Sequence, residues 1–297
     1  MQSIISVSVD KMHIIVTGAN GQVGKELHDL ARDIEDAEFT FLSREDLPIE
    51  NFELVRTVLN FRKPDVVINC AAYTAVDNAE GFRDLAFLIN GEAVGVMAAV
   101  CSELGSRFIH ISTDYVFDGS SHIPYRETDQ TNPVNTYGAS KLEGEEQALK
   151  FNPDSVIVRT SWVYSPYGKN FVKTMVKLLR ERKELNVVDD QFGSPTYAAD
   201  LATALYRIAR AEHAPGGLYH FSNGGVISWY QFAQAIAQII SADCIVHPVP
   251  TSSYPTPAKR PAYSVMNTDR IREIFSLEIS PWRKSLEKCI RKISTSA

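Results

Sequence analysis

The chain has 297 residues, a formal net charge of -6 and 44% hydrophobic residues, which is an ordinary globular composition. A chain of this length can bury a large core without help from disulfides or metal ions. The 30 Lys and Arg against 36 Asp and Glu create no overall field that would hold a phosphate backbone, so nucleic acid is not an expected partner.

The cysteines and the amino-terminal segment bear on where the protein works. The four cysteines include no C-x-x-C pair and lie in apolar segments, so they are predicted to be reduced core thiols of a cytoplasmic protein. No apolar run is expected to reach the roughly 20 residues of a membrane span, and no export signal is predicted. Residues 1–11 precede the first predicted strand and a second methionine, and are predicted to be a disordered extension rather than a short strand.

The first half of the chain alternates short β-branched runs with longer stretches of helical apolar spacing, which predicts an α/β protein with a parallel sheet. Strands are predicted at 13–17, 38–43, 65–70, 107–112 and 155–159, and helices at 24–32, 52–61, 83–104 and 137–150. We expect residues 12–165 to form a Rossmann-like, doubly wound dinucleotide-binding domain whose core is completed by parts of 185–222.

The second half of the chain has a looser pattern and is assigned mainly to a smaller substrate-binding lobe, residues 166–297. Helices are predicted at 170–184, 199–211, 229–240 and 281–293, separated by loops rich in Pro, Tyr and Ser. Five prolines between residues 247 and 263 predict an ordered loop or a mobile lid with no regular element.

A glycine-rich turn follows the first predicted strand. It reads Gly18-Ala19-Asn20-Gly21-Gln22-Val23-Gly24 and leads into a helix. Glycine lets a diphosphate approach the backbone, and the free N–H groups of a helix start attract it. The turn therefore predicts a dinucleotide site rather than a tight turn that binds nothing, with contacts from Gly18, Asn20, Gly21, Gln22, Val23 and Gly24.

Ser43 and Arg44 stand at the end of the second predicted strand, where an acid would favour the ribose 2′-OH of NAD. A hydroxyl followed by a guanidinium suits a 2′-phosphate instead. The pair predicts a preference for NADP(H), with NAD(H) as the alternative cofactor. The competing interpretation is that Arg44 only covers the adenine or lies in solvent.

Tyr137 and Lys141 are four residues apart at the start of a predicted helix, so they project from one face. A cation near a phenol lowers its pKa by about 1 to 3 units, and Lys141 is predicted to do so here. Thr113 follows an apolar strand at the end where ligand-facing residues collect, and could orient an oxygen that Tyr137 protonates. The set describes a carbonyl reductase; the alternative is a packed tyrosine beside a solvated lysine.

These residues also resemble a known family. The glycine turn, NCAA at 69–72 and the Thr113, Tyr137 and Lys141 set are similar to extended short-chain dehydrogenase/reductases acting on nucleotide sugars. Longer stretches resemble the dTDP-4-dehydrorhamnose reductase family: GQVGKEL at 21–27, YTAVD at 73–77, STDYVFDG at 112–119, RTSWVY at 159–164, DQFGSPT at 190–196 and Arg260-Pro261. The match runs from Met12 to the last predicted helix.

The resemblance implies reduction of the C4 ketone of dTDP-4-dehydro-L-rhamnose, for a bacterial surface polysaccharide. It places Ala71, Ala72 and Tyr73 along the cofactor, Tyr137 and Lys141 at the nicotinamide ribose, and Thr113, Asp114 and Trp162 at the sugar. Trp162 could instead be a core residue. Relatives often have an acid where this chain has Pro48, which puts one adenine-side contact in doubt.

Other functions remain to be separated from this one. A 4,6-dehydratase needs Asp-Glu after the threonine, and Tyr115 stands at the second position. An epimerase would use the same hydride transfer, and a non-catalytic NADP-binding regulatory subunit would need no turnover. Some relatives are magnesium-linked homodimers; Glu26 lies at a matching position but is expected to be a solvated helix residue, so no metal site is assigned.

Overall fold

The computed structural model describes residues 11–295, so the predicted extension lies outside the described residues except for Lys11. The described residues form twelve strands: β1 Met12–Thr17, β2 Ala37–Leu42, β3 Val66–Asn69, β4 Arg107–Thr113, β5 Val156–Thr160, β6 Val163–Tyr164, β7 Glu184–Val188, β8 Phe192–Gly193, β9 Thr196–Tyr197, β10 Gly217–Phe221, β11 Ile227–Ser228 and β12 Ile245–Val249. The five predicted strands correspond to β1 to β5 and differ by at most one residue at either end.

The same residues form eleven α-helices: α1 Gln22–Ala31, α2 Phe52–Arg62, α3 Val76–Ala79, α4 Arg83–Phe87, α5 Ala93–Leu104, α6 Thr136–Phe151, α7 Phe171–Glu181, α8 Ala198–Arg210, α9 Trp229–Ile239, α10 Asp269–Phe275 and α11 Trp282–Thr295. A π-helical segment, Leu88–Glu92, joins α4 to α5, and short 3-10 turns lie at Asp114–Val116 and Thr251–Ser253.

Six strands form one parallel sheet in the order β10-β5-β4-β3-β1-β2. The chain moves outward from β1 to β2 and then returns to place β3 on the other side of β1. This reversal opens a crevice at the carboxyl ends of β1 and β3, which is where doubly wound sheets bind ligands. The predicted Rossmann-like α/β fold is confirmed.

Helices cover both faces of the sheet, so its strands are apolar on both sides. In β1, Ile14 and Val16 pack in a cluster with α1 and α8, while Ile15 packs in a second cluster with α2 and α5. β10 and α8, which lie within residues 185–222, extend this core, and α10 adds Ile271 and Phe275 to it.

A second core lies among α7, α9 and α11, beside the small pairs formed by β7 with β12 and β6 with β9. It is built mainly from residues after 165, in the part of the chain assigned to the substrate lobe. The functional division into 12–165 and 166–297 stays a proposal.

The segment rich in proline departs from its prediction. Pro248 lies within β12, which pairs in parallel with β7 over five residues from Ile245↔Glu184 to Val249↔Val188. The prediction of no regular element between 247 and 263 is therefore wrong at its start. Proline is tolerated because β12 is an edge strand, where its missing N–H can face away from the partner. The helix predicted over 170–184 also ends earlier, at Glu181, and residue 184 begins β7.

The expectation of no membrane-length apolar run also needs correction. The continuous helical stretch Arg83–Leu104 is long and apolar enough to cross a bilayer by length and composition, and it is the one such stretch among residues 11–295. It is mostly buried within the protein, where α5 packs against α2 and α6. Its apolar character follows from this central position in the core.

The four cysteines, Cys70, Cys101, Cys244 and Cys289, are free thiols, as predicted. Three of them are buried in the apolar cores, and Cys70 lies half-buried at the crevice. Burial raises the pKa of the Cys70, Cys101 and Cys289 thiols to about 12, which leaves them unreactive.

Candidate active site

A cavity of about 630 Å³ occupies the crevice at the carboxyl ends of the strands. Its walls include most of the site residues predicted from the sequence: Gly18, Asn20, Gly21, Gln22, Val23, Arg44, Ala71, Ala72, Tyr73, Thr113, Asp114, Tyr137, Lys141 and Trp162. Gly24 and Ser43 are absent from its lining. The fold thus gathers residues from five separate strand ends into one elongated site.

Glycine is required for a different structural reason at different positions of the first turn. Gly18 has a φ of +66°, and a Cβ there would lie 2.6 Å from the Ala71 nitrogen. A Cβ on Gly24 would lie 2.5 Å from the Gly18 oxygen. These two glycines therefore allow backbone segments to pack together, and Gly18 also lines the cavity. Gly21, the N-cap of α1, is the exposed glycine at the helix start that lines the cavity.

Ser43 does not offer its hydroxyl to the cavity. Its Oγ donates to Asp46 Oδ2 at 2.6 Å, and its backbone N–H donates to the same oxygen at 2.9 Å. This turn uses up the hydroxyl that the sequence suggested for a 2′-phosphate. Arg44 does line the cavity, with its side chain 72% exposed and paired to Glu50 at 2.8 Å. A guanidinium is thus available at this end, balanced by one carboxylate.

The turn after β3 is held by a residue that the sequence analysis missed. Asn90, in the π-helical segment, accepts a hydrogen bond from the Tyr73 N–H at 2.8 Å and donates to the Tyr73 oxygen at 3.0 Å. Its Nδ2 also donates to Ser140 Oγ at 2.9 Å. Asn90 therefore ties the Ala71, Ala72 and Tyr73 turn to α6. A lone Asn within an apolar helix was the available signal.

Two distant motifs of the sequence meet at the edge of the cavity. Arg260 forms a bidentate ion pair with Asp77, through distances of 3.0 Å and 2.8 Å. The pair lowers the pKa of the Asp77 carboxyl. It joins the start of α3, next to the cavity-lining Val76, to the proline-rich segment.

Thr113 and Asp114 lie where β4 ends. The Thr113 hydroxyl accepts from the Tyr115 N–H at 3.2 Å and donates to Asp114 Oδ1 at 3.1 Å. The other carboxyl oxygen, Oδ2, is buried, and the Ser264 hydroxyl lies beside the carboxyl group. Burial raises the pKa of Asp114 to about 7, and hydrogen bonds from Ser264 and Thr113 oppose this rise by a smaller amount. Asp114 lines the cavity, so its carboxyl group is placed next to a bound ligand.

Tyr137 and Lys141 lie on the first turns of α6, whose N-cap Asn135 accepts from the Gly138 N–H at 2.8 Å. Burial raises the pKa of Tyr137 to about 12, and the Thr113 hydroxyl lowers it by a smaller amount. The predicted lowering by Lys141 is not found, because Lys141 Nζ turns to the Ile111 oxygen at 2.7 Å and to His110 at 3.1 Å. Burial also lowers the pKa of Lys141 itself, to about 8.

Trp162 forms the far wall with a second tryptophan that the sequence analysis did not single out. Its ring stacks on Trp229 with centroids 3.5 Å apart and planes 9° apart. Trp162 has a φ of +48°, and a Cβ on Gly193 would lie 2.6 Å from its ring. The capping box of Ser228 with Gln231 places Trp229 at the first position of α9. That box was the readable sequence signal for Trp229.

Glu26 is not a solvated helix residue, which corrects the expectation. It is 2% exposed, its Oε2 lies 3.1 Å from Lys292 Nζ, and burial raises its pKa. Asp29 shares the same lysine at 2.7 Å. Lys292, from α11, therefore supplies the charge partner of this buried glutamate. Within the described part of the chain, no group of three or more His, Cys, Asp and Glu is arranged to hold a metal ion.

Comparison with known proteins agrees with this geometry. Residues 12–295 match the family profile described as the RmlD substrate binding domain. The dTDP-4-dehydrorhamnose reductase of Burkholderia thailandensis is 44% identical over 299 residues, covering 95% of this chain and 99% of that protein. The chain belongs to the dTDP-4-dehydrorhamnose reductase family. The family resemblance predicted from the sequence motifs is confirmed.

Solved structures in the dTDP-4-dehydrorhamnose reductase family have the same fold. The Clostridium acetobutylicum protein superposes with a TM-score of 0.91 at 40% identity, over 95% of this chain and 100% of that one. The Bacillus anthracis protein, crystallised in complex with NADP, superposes with a TM-score of 0.90 at 39% identity, over 95% and 99%. These family members are nicotinamide-dependent oxidoreductases.

Proposed function

We propose that this protein is an NADPH-dependent reductase that converts the C4 ketone of dTDP-4-dehydro-L-rhamnose to the alcohol of dTDP-L-rhamnose. The observation that carries the proposal is the convergence of Thr113, Tyr137 and Lys141 on a cavity that also receives the glycine turn of α1. A proton donor and a dinucleotide site in one enclosure are what carbonyl reduction requires. Family membership supplies the substrate class.

The residues present fit a dinucleotide. Gly21 and the free N–H groups at the start of α1 suit a diphosphate. Arg44 suits a 2′-phosphate, which favours NADP(H), although its pairing with Glu50 and its exposure make the preference modest. Ala71, Ala72 and Tyr73 would lie along the cofactor, with Tyr137 and Lys141 near the nicotinamide ribose. A bound NADPH supplies hydride to the ketone carbon.

Tyr137 is the proposed proton donor. Because burial raises its pKa to about 12, the phenol keeps its proton at neutral pH and can give it to the ketone oxygen. The Thr113 hydroxyl, which contacts the phenol, would orient the same oxygen. The chemistry balances as one hydride on carbon and one proton on oxygen. Lys141, one helical turn away, lines the same cavity and would act at the nicotinamide ribose.

Asp114 and Trp162 are proposed to recognise the sugar. Asp114 lines the cavity, and its carboxyl group would accept a hydrogen bond from a sugar hydroxyl. The stacked pair of Trp162 and Trp229 would supply a rigid apolar wall that holds the C4 ketone near the nicotinamide.

Dehydration is a poorer match because Tyr115 replaces the carboxyl group that a 4,6-dehydratase uses. Burial raises the pKa of Tyr115, so it is a neutral phenol at neutral pH and cannot act as the carboxylate base that dehydration requires. An epimerase and a regulatory NADP-binding subunit differ from a reductase in net turnover. We propose that the enzyme works in the cytoplasm, which its free thiols support. We also propose a homodimer, on the family resemblance, and assign no magnesium site.

The test is NADPH consumption with dTDP-4-dehydro-L-rhamnose, followed at 340 nm together with the sugar product by NMR. A reductase consumes one NADPH per dTDP-L-rhamnose formed. An epimerase would interconvert keto sugars without net NADPH loss, and a regulatory subunit would bind NADPH without turnover. Lys288→Ala, at an exposed position of α11 that lines no cavity, is the control and should leave the rate unchanged.

A further inference from the structure

Behind the cavity lies a line of buried polar side chains from three neighbouring strands. Thr17 Oγ1 donates to Asn69 Oδ1 at 2.6 Å, and Asn69 Nδ2 lies 3.0 Å from His110 Nδ1. His110 Nε2 in turn lies 3.1 Å from Lys141 Nζ. Thr17, Asn69 and His110 are fully buried and do not line the cavity. The proposed reaction assigns them no role.

The direction of this chain is set by a backbone group. Asn69 Oδ1 accepts from the Ala71 N–H at 3.1 Å, and a backbone N–H can only donate. The amide oxygen of Asn69 must therefore face Ala71 and Thr17, which turns its NH₂ group toward His110. His110 Nδ1 is then the acceptor.

It follows that His110 carries its proton on Nε2. Burial lowers the pKa of His110 well below its ordinary value, with a further lowering by Lys141, so the ring is neutral. A neutral imidazole has one N–H, and Nδ1 already accepts. The Nε2–H thus faces the nitrogen of Lys141. An ammonium group has no lone pair to receive it, whereas an amine has one.

The other neighbours of Lys141 have different effects. The Ile111 oxygen accepts from Nζ at 2.7 Å in either form of the lysine. The Glu145 carboxylate, one turn along α6, favours the ammonium, and so does the Cys70 thiol at the end of β3, to the extent that it ionises. Tyr137, on the same helix, is a neutral phenol. His110 is therefore the polar neighbour whose orientation favours the amine.

We propose that His110 is a positioning residue for Lys141: the Ala71–Asn69 contact fixes its tautomer, and its Nε2–H then holds Lys141 Nζ in place and favours the amine form. This inference rests on the proposed reductase function for its catalytic consequence. After each reduction, the ammonium form of Lys141 can pass one proton to the Tyr137 phenolate within the cavity that both residues line. The amine that remains accepts from the His110 Nε2–H and then regains its proton from solvent.

The tautomer can be read without any turnover, from the imidazole ¹⁵N shifts of the full-length protein labelled at histidine. His110 is assigned by loss of its signals in His110→Phe. We expect a protonated Nε2 and an unprotonated Nδ1 across neutral pH. A protonated Nδ1, or a doubly protonated ring, would overturn the proposal.

The effect on Lys141 is read by titrating its ¹³Cε signal, assigned with Lys141→Met. His110→Phe removes the N–H, so the Lys141 titration should move up by about 0.4 to 1 pH unit, the equivalent of one net hydrogen bond. If Nε2 were an acceptor, the midpoint would move down instead. A downward shift or no shift would overturn the proposal. His220→Phe, at another fully buried histidine, is the control and should leave the Lys141 midpoint in place.

The kinetic consequence is measured separately. The alkaline limb of kcat/KM for the keto sugar should shift with the NMR midpoint in His110→Phe and stay in place in His220→Phe. An alkaline limb that does not move with the NMR midpoint of Lys141 would overturn the proposed role of His110 in catalysis. If wild-type protein shows no turnover, the proposed function fails, while the tautomer and the Lys141 titration still decide whether His110 acts on Lys141. If His110→Phe does not fold, the wild-type tautomer decides.

Discussion

Replacement of Trp162 tests whether this tryptophan lines the sugar site or is only a core residue. The ring is half-buried and lies flat on Trp229, a contact worth about 0.5 to 1.5 kcal/mol beyond area burial. A fully buried core tryptophan would lose about 3 to 5 kcal/mol on truncation to alanine. The backbone adds a second effect, because a φ of +48° is unfavourable for any residue with a Cβ.

Glycine and alanine at position 162 should therefore rank in the reverse of their usual order. Glycine adopts the left-handed backbone without strain, so Trp162→Gly should unfold at a higher urea concentration than Trp162→Ala. We expect its free energy of unfolding to be greater by about 1 kcal/mol. Both variants lose the same ring, and both should reduce kcat/KM for the keto sugar at least tenfold while NADPH binding stays intact.

The assay is urea unfolding followed by circular dichroism, paired with initial rates of NADPH oxidation. Gly193→Ala serves as a second perturbation, since a Cβ there displaces the Trp162 ring without removing it, and it should also lower kcat/KM. If Trp162→Ala instead costs the full core value while the folded fraction keeps its catalytic rate, Trp162 belongs to the core and our assignment of the sugar wall is refuted.

Three further predictions test the other parts of the site. Tyr137→Phe should lower kcat by about 10² to 10⁴ with little change in NADPH binding, because the proton donor is lost; a rate within a few-fold of wild type would point to another acid. Arg44→Ala should raise KM for NADPH by about threefold to tenfold and leave KM for NADH nearly unchanged, as expected of an exposed cation; equal changes for both cofactors would exclude a 2′-phosphate contact. Asp114→Asn should stabilise the ligand-free protein, and more so at pH 8 than at pH 5. The pKa of Asp114 is raised to about 7 in the folded state, so the wild type loses stability as pH rises from about 4 to 7. The variant's advantage in urea unfolding should grow by on the order of 2 kcal/mol between the two pH values, and a pH-independent difference would contradict a buried carboxylate with a raised pKa.

The sheet was predictable because its strands are buried on both faces. Short β-branched runs such as Val66–Asn69 leave little choice of element, and glycine at residues 18, 21 and 24 marks the first turn. The βαβ alternation predicted that these strands form a parallel sheet, and the structure adds their order. The strand that contains Pro248 was not predicted, because a proline pattern does not reveal that a strand will be paired along one edge only.

The polar contacts of the site could not be predicted in the same way, because each depends on a choice between partners. The sequence shows that Ser43 has a hydroxyl, but not that Asp46, three residues on, accepts it. It shows that Lys141 is one turn from Tyr137, but not that the Lys141 Nζ contacts His110 and the Ile111 oxygen. Asn90 acts through a π-helical segment that no apolar periodicity encodes.

The measurement that tests the central claim most directly is isotope transfer from NADPH that carries deuterium at both hydrogen positions of nicotinamide C4. We predict that wild-type protein places one deuterium at C4 of dTDP-L-rhamnose for each NADPH oxidised, and that Tyr137→Phe slows the transfer without changing its position. Binding of NADPH with no deuterium in the sugar, or deuterium at any other carbon, would contradict the assignment of this cavity as a C4 ketone reductase.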